Sequence, residues 1–151
     1  MTAPTLPSLS GRISRTGRAA RQPMLPLPSR RPVPQAARDL LADAGRGLGR
    51  AIRAAEPTDR YAVAHLAALR GAAAVLAARA RPGGRGNQGN AWVLLARLAP
   101  EFSEWSAFFA AGSAKRQAAD AGITRLVSTR EADDMVRQTS AFLDLIEESL
   151  N

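Results

Sequence analysis

The sequence predicts an all-α protein: an antiparallel bundle of four to five helices, with a disordered basic tail ahead of it. Three observations carry that prediction. Residues 59–81 contain no proline, are rich in alanine, and set Leu66, Leu69, Ala73, Leu76 and Ala77 at three- and four-residue steps. Residues 128–131, Ser-Thr-Arg-Glu, form a capping box at the head of a long apolar stripe. No segment alternates apolar and polar residues as a half-buried strand would. Helices with apolar stripes must bury them against one another, and a bundle is the direct solution.

Residues 1–34 are rich in proline, serine and arginine, with few apolar residues at any period. Such a stretch buries too little surface to offset its ordering entropy, so it is expected to be a disordered tail. It lacks the continuous apolar core, roughly 7–15 residues, of a secretory signal. Its prolines would also break the amphipathic helix of an organellar transit peptide, and Met24 offers a later start. Ten arginines stand against Asp39 and Asp43 in residues 1–53, which gives +8. Residues 54–151 hold eleven basic and eleven acidic side chains and are neutral. The arm reads either as a solvated tail or as one that tracks phosphates. Lys115 is the only lysine among the 21 basic residues. With so much alanine, glycine and proline, that excess of arginine looks like the codon bias of a G+C-rich genome, and it weighs less as a functional signal.

The bundle is expected over residues 35–151. Pro34 suits the first turn of a helix through Leu40, Leu41, Ala44, Leu48 and Ile52. Gly45, Gly47 and Gly49 each cost about 1 kcal/mol relative to alanine, which predicts a short, frayed or broken helix. After Pro57, Thr58 or Asp59 caps the central helix, which runs to about Ala80 and stops before Pro82-Gly83-Gly84. Alanines on its face let partner helices approach closely. Residues 82–90 are expected to form a flexible loop.

Asn90 caps a short helix that ends before Pro100. Pro100 suits the first turn of the next helix, with Glu101 and Glu104 near its positive end. That helix carries Phe102, Trp105, Phe109, Gly112 and Arg116 on one stripe, Phe108 beside it, and Gly122 as its stop. From the capping box onward, Ala132, Met135, Val136, Thr139, Phe142, Leu143, Ile146 and Leu150 form the best-defined apolar stripe in the chain.

A chain of 151 residues suits one domain with a real core. No run of about 18 uncharged apolar residues is present, so no membrane span is expected. With no cysteine there are no disulfides and no thiol chemistry, which fits a reducing cytoplasm. No cofactor is expected either. Residues 84–89, G-R-G-N-Q-G, match the spacing of a dinucleotide fingerprint, but a helix precedes them where a strand is needed, so they read as loop. Glu131, Asp133 and Asp134 sit where a helix start favours acids, and Asp133 stands one turn from Arg137. Without a nearby histidine they do not read as a metal site. Trp105, Phe108 and Phe109 have the spacing of core residues rather than of a base-stacking platform.

One constellation carries possible chemistry: Arg60-Tyr-Ala-Val-Ala-His65, an R-x4-H. Metal-free RNA cleavage needs a base for the 2′-hydroxyl, an acid for the leaving oxygen and a cation for the phosphate. Histidine suits the proton work and arginine the phosphate. One histidine supplies only one of the two proton-transfer groups, unless two chains face each other. Five residues turn the pair apart by about 140° along a helix, whereas Tyr61 and His65 share a face. The plainer reading is a histidine packed in the core or an interface and bonded to a neighbour.

Three blocks, R-Y-A-V-A-H-L-A-A-L-R-G-A-A-A-V-L-A-A-R-A-R-P from Arg60, L-A-P-E-F-S-E-W-S-A-F-F-A-A-G-S-A-K-R from Leu98 and S-T-R-E-A-D-D-M-V-R-Q-T-S-A-F-L from Ser128, resemble an actinobacterial family of small HEPN-domain proteins. The likeness covers about residues 57–150. It implies a four- or five-helix bundle that often dimerises. Many HEPN proteins are metal-independent ribonucleases that use R-x4-6-H across a dimer cleft, while others lack the motif and bind RNA or serve as non-catalytic modules. Arg60 and His65 match the bare spacing. The family's motif usually stands late in the domain with a small polar residue after the arginine; here it stands early, with Tyr61 next.

Three functions follow as expectations. The favoured one is a non-catalytic bundle that binds RNA, a nucleotide or a protein partner. The runner-up is a ribonuclease with Arg60 as phosphate clamp and His65 as acid or base, contributed by two chains. The third is a structural partner that buries an apolar stripe in a homodimer or against another helical protein.

Overall fold

The computed structural model describes residues 31–80 and 90–151. The tail expected over 1–34, up to residue 30, and the loop at 81–89 with its glycine motif lie outside the described residues. Five α-helices and one 3-10 turn account for nearly all the rest: α1 (Gln35–Arg53), α2 (Pro57–Arg79), α3 (Ala91–Leu98), the turn Pro100–Phe102, α4 (Ser103–Asp120) and α5 (Thr129–Leu150). No strand occurs among the described residues. The all-α class is as the sequence predicts.

Helix α1 corrects one expectation. It runs unbroken for 19 residues with Pro34 just ahead of it as N-cap. Its buried residues, Ala37, Ala44, Gly47 and Ala51, are all small and lie along one stripe against α2. A Cβ on Gly47 would come within 3.3 Å of the Ala67 methyl. Tertiary packing of that stripe outweighs the propensity cost of the glycines, and Gly47 is part of what allows the close contact.

Helix α2 is the centre of the bundle and touches α1, α3, α4 and α5. Among the described residues it alone is long and apolar enough to cross a membrane by composition, and most of it is buried by its neighbours. Its expected core face needs correcting. Leu66, Leu69, Ala73 and Ala77 are only half-buried, while Ala64, His65, Ala67, Ala68, Ala72, Ala74 and Val75 are completely covered. A helix surrounded on most sides has no single apolar face for periodicity to find. Its start differs too. Pro57 takes the first helical position after Glu56, and Thr58 lies inside the first turn. Thr58 Oγ1 donates to the Thr124 carbonyl at 3.1 Å, fastening the head of α2 to the α4–α5 connection.

The remaining boundaries follow local chemistry. Asn90 Oδ1 accepts from the Trp92 N–H at 2.9 Å and caps α3. Gly122, at φ 86°, ends α4 in a Schellman turn: its N–H reaches Ala119, and the Ile123 N–H reaches Ala118. Ser128 and Glu131 close the capping box of α5 reciprocally. Ala132, Met135, Thr139, Phe142, Leu143 and Ile146 are the buried residues of α5. Trp92, Phe102, Phe109 and Phe142 meet at the core, with Trp92–Phe109 and Phe109–Phe142 centroids 5.0 Å apart. Aromatic pairs of this kind each add about 0.5–1.5 kcal/mol beyond their area.

Candidate functional site

Arg60 stands in the first turn of α2, where the chain has just turned back from α1. Its Nε and Nη2 both donate to the Ala54 carbonyl at 3.1 Å, and Nη2 also reaches Ala55 at 3.4 Å. Ala54 is the C-cap of α1, so the guanidinium satisfies carbonyls that a helix end leaves open. Nη1 pairs with Asp133, just past the first turn of α5. Asp133 therefore pairs with Arg60, and Asp134 takes Arg137. One arginine ties together the end of α1, the start of α2 and the start of α5.

His65 lies one turn further into the core and is completely buried. Its Nε2 is 2.8 Å from the Phe109 carbonyl. A carbonyl only accepts, so Nε2 carries the proton and Nδ1 is the bare nitrogen. That Nδ1 is buried without a hydrogen-bond partner among the described residues. The ring stacks on Tyr61 at 6.4 Å and meets Trp92 and Phe109 edge-on. Burial pushes the imidazole pKa down, the Phe109 carbonyl opposes that, and Arg116 and Asp120 add smaller opposing effects. The group is held neutral.

Arg60 and His65 thus point to different surroundings. No hydrogen bond joins them, and each has its own partners. His65 does share a face with Tyr61, whose hydroxyl donates to the Gly112 carbonyl at 3.5 Å. Gly112 fits there because a Cβ would come within 2.8 Å of the Tyr61 hydroxyl. Burial, and after it the Glu131 carboxylate, hold the Tyr61 phenol above its usual pKa.

Outside Tyr61 lies a cleft of about 320 Å³ between α2, α4 and α5, lined by Phe108, Ala111, Gly112, Lys115, Glu131, Asp134 and Met135. Lys115 Nζ bonds Glu131 at 3.1 Å across its mouth, and this bond holds the Glu131 carboxyl below its usual pKa. Phe108 is 42% exposed, in contrast to buried Phe109. The sequence placed all three aromatics of α4 in the core; Phe108 is the exception. The stripe through Phe102, Trp105 and Phe109 takes the inner face, and Phe108 is left at its margin. Among the described residues no group of three or more histidine, cysteine or acidic side chains could hold a metal.

A helical bundle closed around a buried histidine and an aromatic core is the class of protein these features define. The family model for SAV_6107-like HEPN proteins matches residues 51–147, and the chain belongs to that family. Searches of curated proteins and of solved structures returned no match.

Proposed function

We propose that this chain is a non-catalytic binding module of HEPN type, taking RNA or a nucleotide, with a helical protein as the other class of target. The observation that supports this reading is the state of the R-x4-H pair. His65 has no exposure and spends its one N–H on Phe109. Arg60 spends its donors on Ala54, Ala55 and Asp133. A general acid or base must come within hydrogen-bond reach of the proton it moves, and a phosphate clamp needs donors to spare.

The second reading is a metal-independent ribonuclease with Arg60 and His65 acting across a dimer cleft. The R-x4-H spacing in a HEPN chain is the observation that favours it. It requires the head of α2 to open far enough for the imidazole to meet substrate. Labelled tRNA and mRNA incubated in EDTA with wild type, His65→Ala and Arg60→Gln separate the two. The binding-module reading expects RNA retained without cleavage by all three. Cleavage by wild type that both substitutions abolish would replace it with the ribonuclease.

A further inference from the structure

We propose that the outer face of α1 seats the sugar–phosphate backbone of a single RNA strand. This inference rests on the RNA-binding reading above and adds where the strand lies. Residues 42, 45, 46, 49, 50 and 53 recur at three- and four-residue steps, so they form one face of α1, opposite the Ala37–Ala44–Ala51 stripe buried on α2. They line a shallow depression of about 650 Å³, built from Ala42, Gly45, Arg46, Gly49, Arg50 and Arg53. Its floor is small and its walls are arginine.

The arginines are available. Arg46 pairs with Asp43, but Arg50 and Arg53 have no hydrogen bond or ion pair among the described residues. Both are exposed. The Arg53 guanidinium lies 3.6 Å from where a Gly49 Cβ would stand, and that of Arg50 lies 3.6 Å from the corresponding point at Gly47. The head groups therefore lie along the helix. Helical rise spaces Arg46, Arg50 and Arg53 by about 6 and 4.5 Å along the axis. That sets a row of cations beside a floor of one alanine and two glycines, open above Gly45.

Guanidinium forks match phosphate oxygens in pairs, and a row of them favours a chain of phosphates over one isolated anion. Gly45 has nothing within 4 Å of its missing Cβ, so internal packing does not demand a glycine there. A ligand backbone that approaches closely would demand one.

The test uses the full chain and a fluorescent oligouridylate, titrated over a series of salt concentrations. Each phosphate contact on a single strand contributes about 0.7 to the slope of log affinity against log salt. Arg50→Gln with Arg53→Gln should lower that slope by about 1.4, with circular dichroism unchanged. Gly45→Leu with Gly49→Leu keeps every charge and should weaken binding by filling the floor. Wild-type binding that neither pair alters would overturn the α1 seat and leave the RNA reading standing. An absence of RNA binding by wild type would sink both. Polyglutamate competing as well as the oligonucleotide would mean an acidic protein surface is the partner instead, and would overturn the inference.

Discussion

Gly47 and Ala67 bring α1 and α2 so close that a methyl added to Gly47 would stand 3.3 Å from the Ala67 Cβ. Both atoms are rooted on helix backbones, so neither can swing away. Two residues earlier, on the outer side of the same helix, Gly45 faces open space. The two glycines should therefore answer oppositely to alanine. Gly45→Ala should gain about 0.5–1 kcal/mol from helix propensity. Gly47→Ala should fall below wild type, because overpacking of roughly 1–3 kcal/mol exceeds that gain. Urea denaturation of the two variants checks the contrast, and equal midpoints would contradict it.

Arg60 should behave as a structural residue. Arg60→Ala leaves the Ala54 and Ala55 carbonyls without their donors and should cost about 1–3 kcal/mol. Asp133→Asn should cost under about 1 kcal/mol, since Asp133 is 53% exposed and its half of the pair is screened. Lysine cannot reproduce the fork to Ala54, so Arg60→Lys should recover little. Full recovery by lysine would show that charge alone matters there.

His65 gives the fold a pH dependence whose sign follows from its surroundings. Burial lowers the folded pKa below the unfolded value near 6.5. The unfolded chain then binds the proton more readily. Stability is complete above about pH 6.5 and falls as pH drops through 6.5 toward the folded pKa, by at most about 1.4 kcal/mol per pH unit. Glu101 and Glu131, whose folded pKa values lie below the usual 4.5, lose their contributions only at more acid pH. His65→Gln should flatten the window just below 6.5 and leave the acid one. An unchanged profile would mean that folding does not lower the His65 pKa.

Ser128→Ala removes the acceptor that holds the Glu131 N–H at 3.1 Å and should cost about 1 kcal/mol. Its effect should be visible in hydrogen exchange first at the head of α5. Uniform loss of protection across the bundle would show that this cap holds more than its own helix.

Much of the bundle could be read without the fold because the signals were local. A capping box, an Asn cap and a C-terminal glycine act within a few residues, and Ser128, Asn90 and Gly122 do what their chemistry suggests. What failed depended on residues far away in sequence. The glycines of α1 are a penalty in isolation and a fit against Ala67. The half-open stripe of α2 looked like its core because every side of that helix is apolar. The site was legible as a spacing and no further. Arg60 finds Asp133 across 73 residues and His65 finds Phe109 across 44, and nothing in R-x4-H foretells either partner.

Ala54, Ala55 and Glu56 alone join α1 to α2, so the Gly47–Ala67 contact closes a short loop, whereas α5 must return to Arg60 from the far end of the chain. Closing the short loop costs far less chain entropy, which gives the assembly an order. The α1–α2 hairpin should form early, with α5 docking afterwards as the slow and reversible step. Substitutions at Gly47 should then slow refolding, and those at Ile146 should mainly hasten unfolding. Under load or mild denaturant, the last helix would be the first to leave.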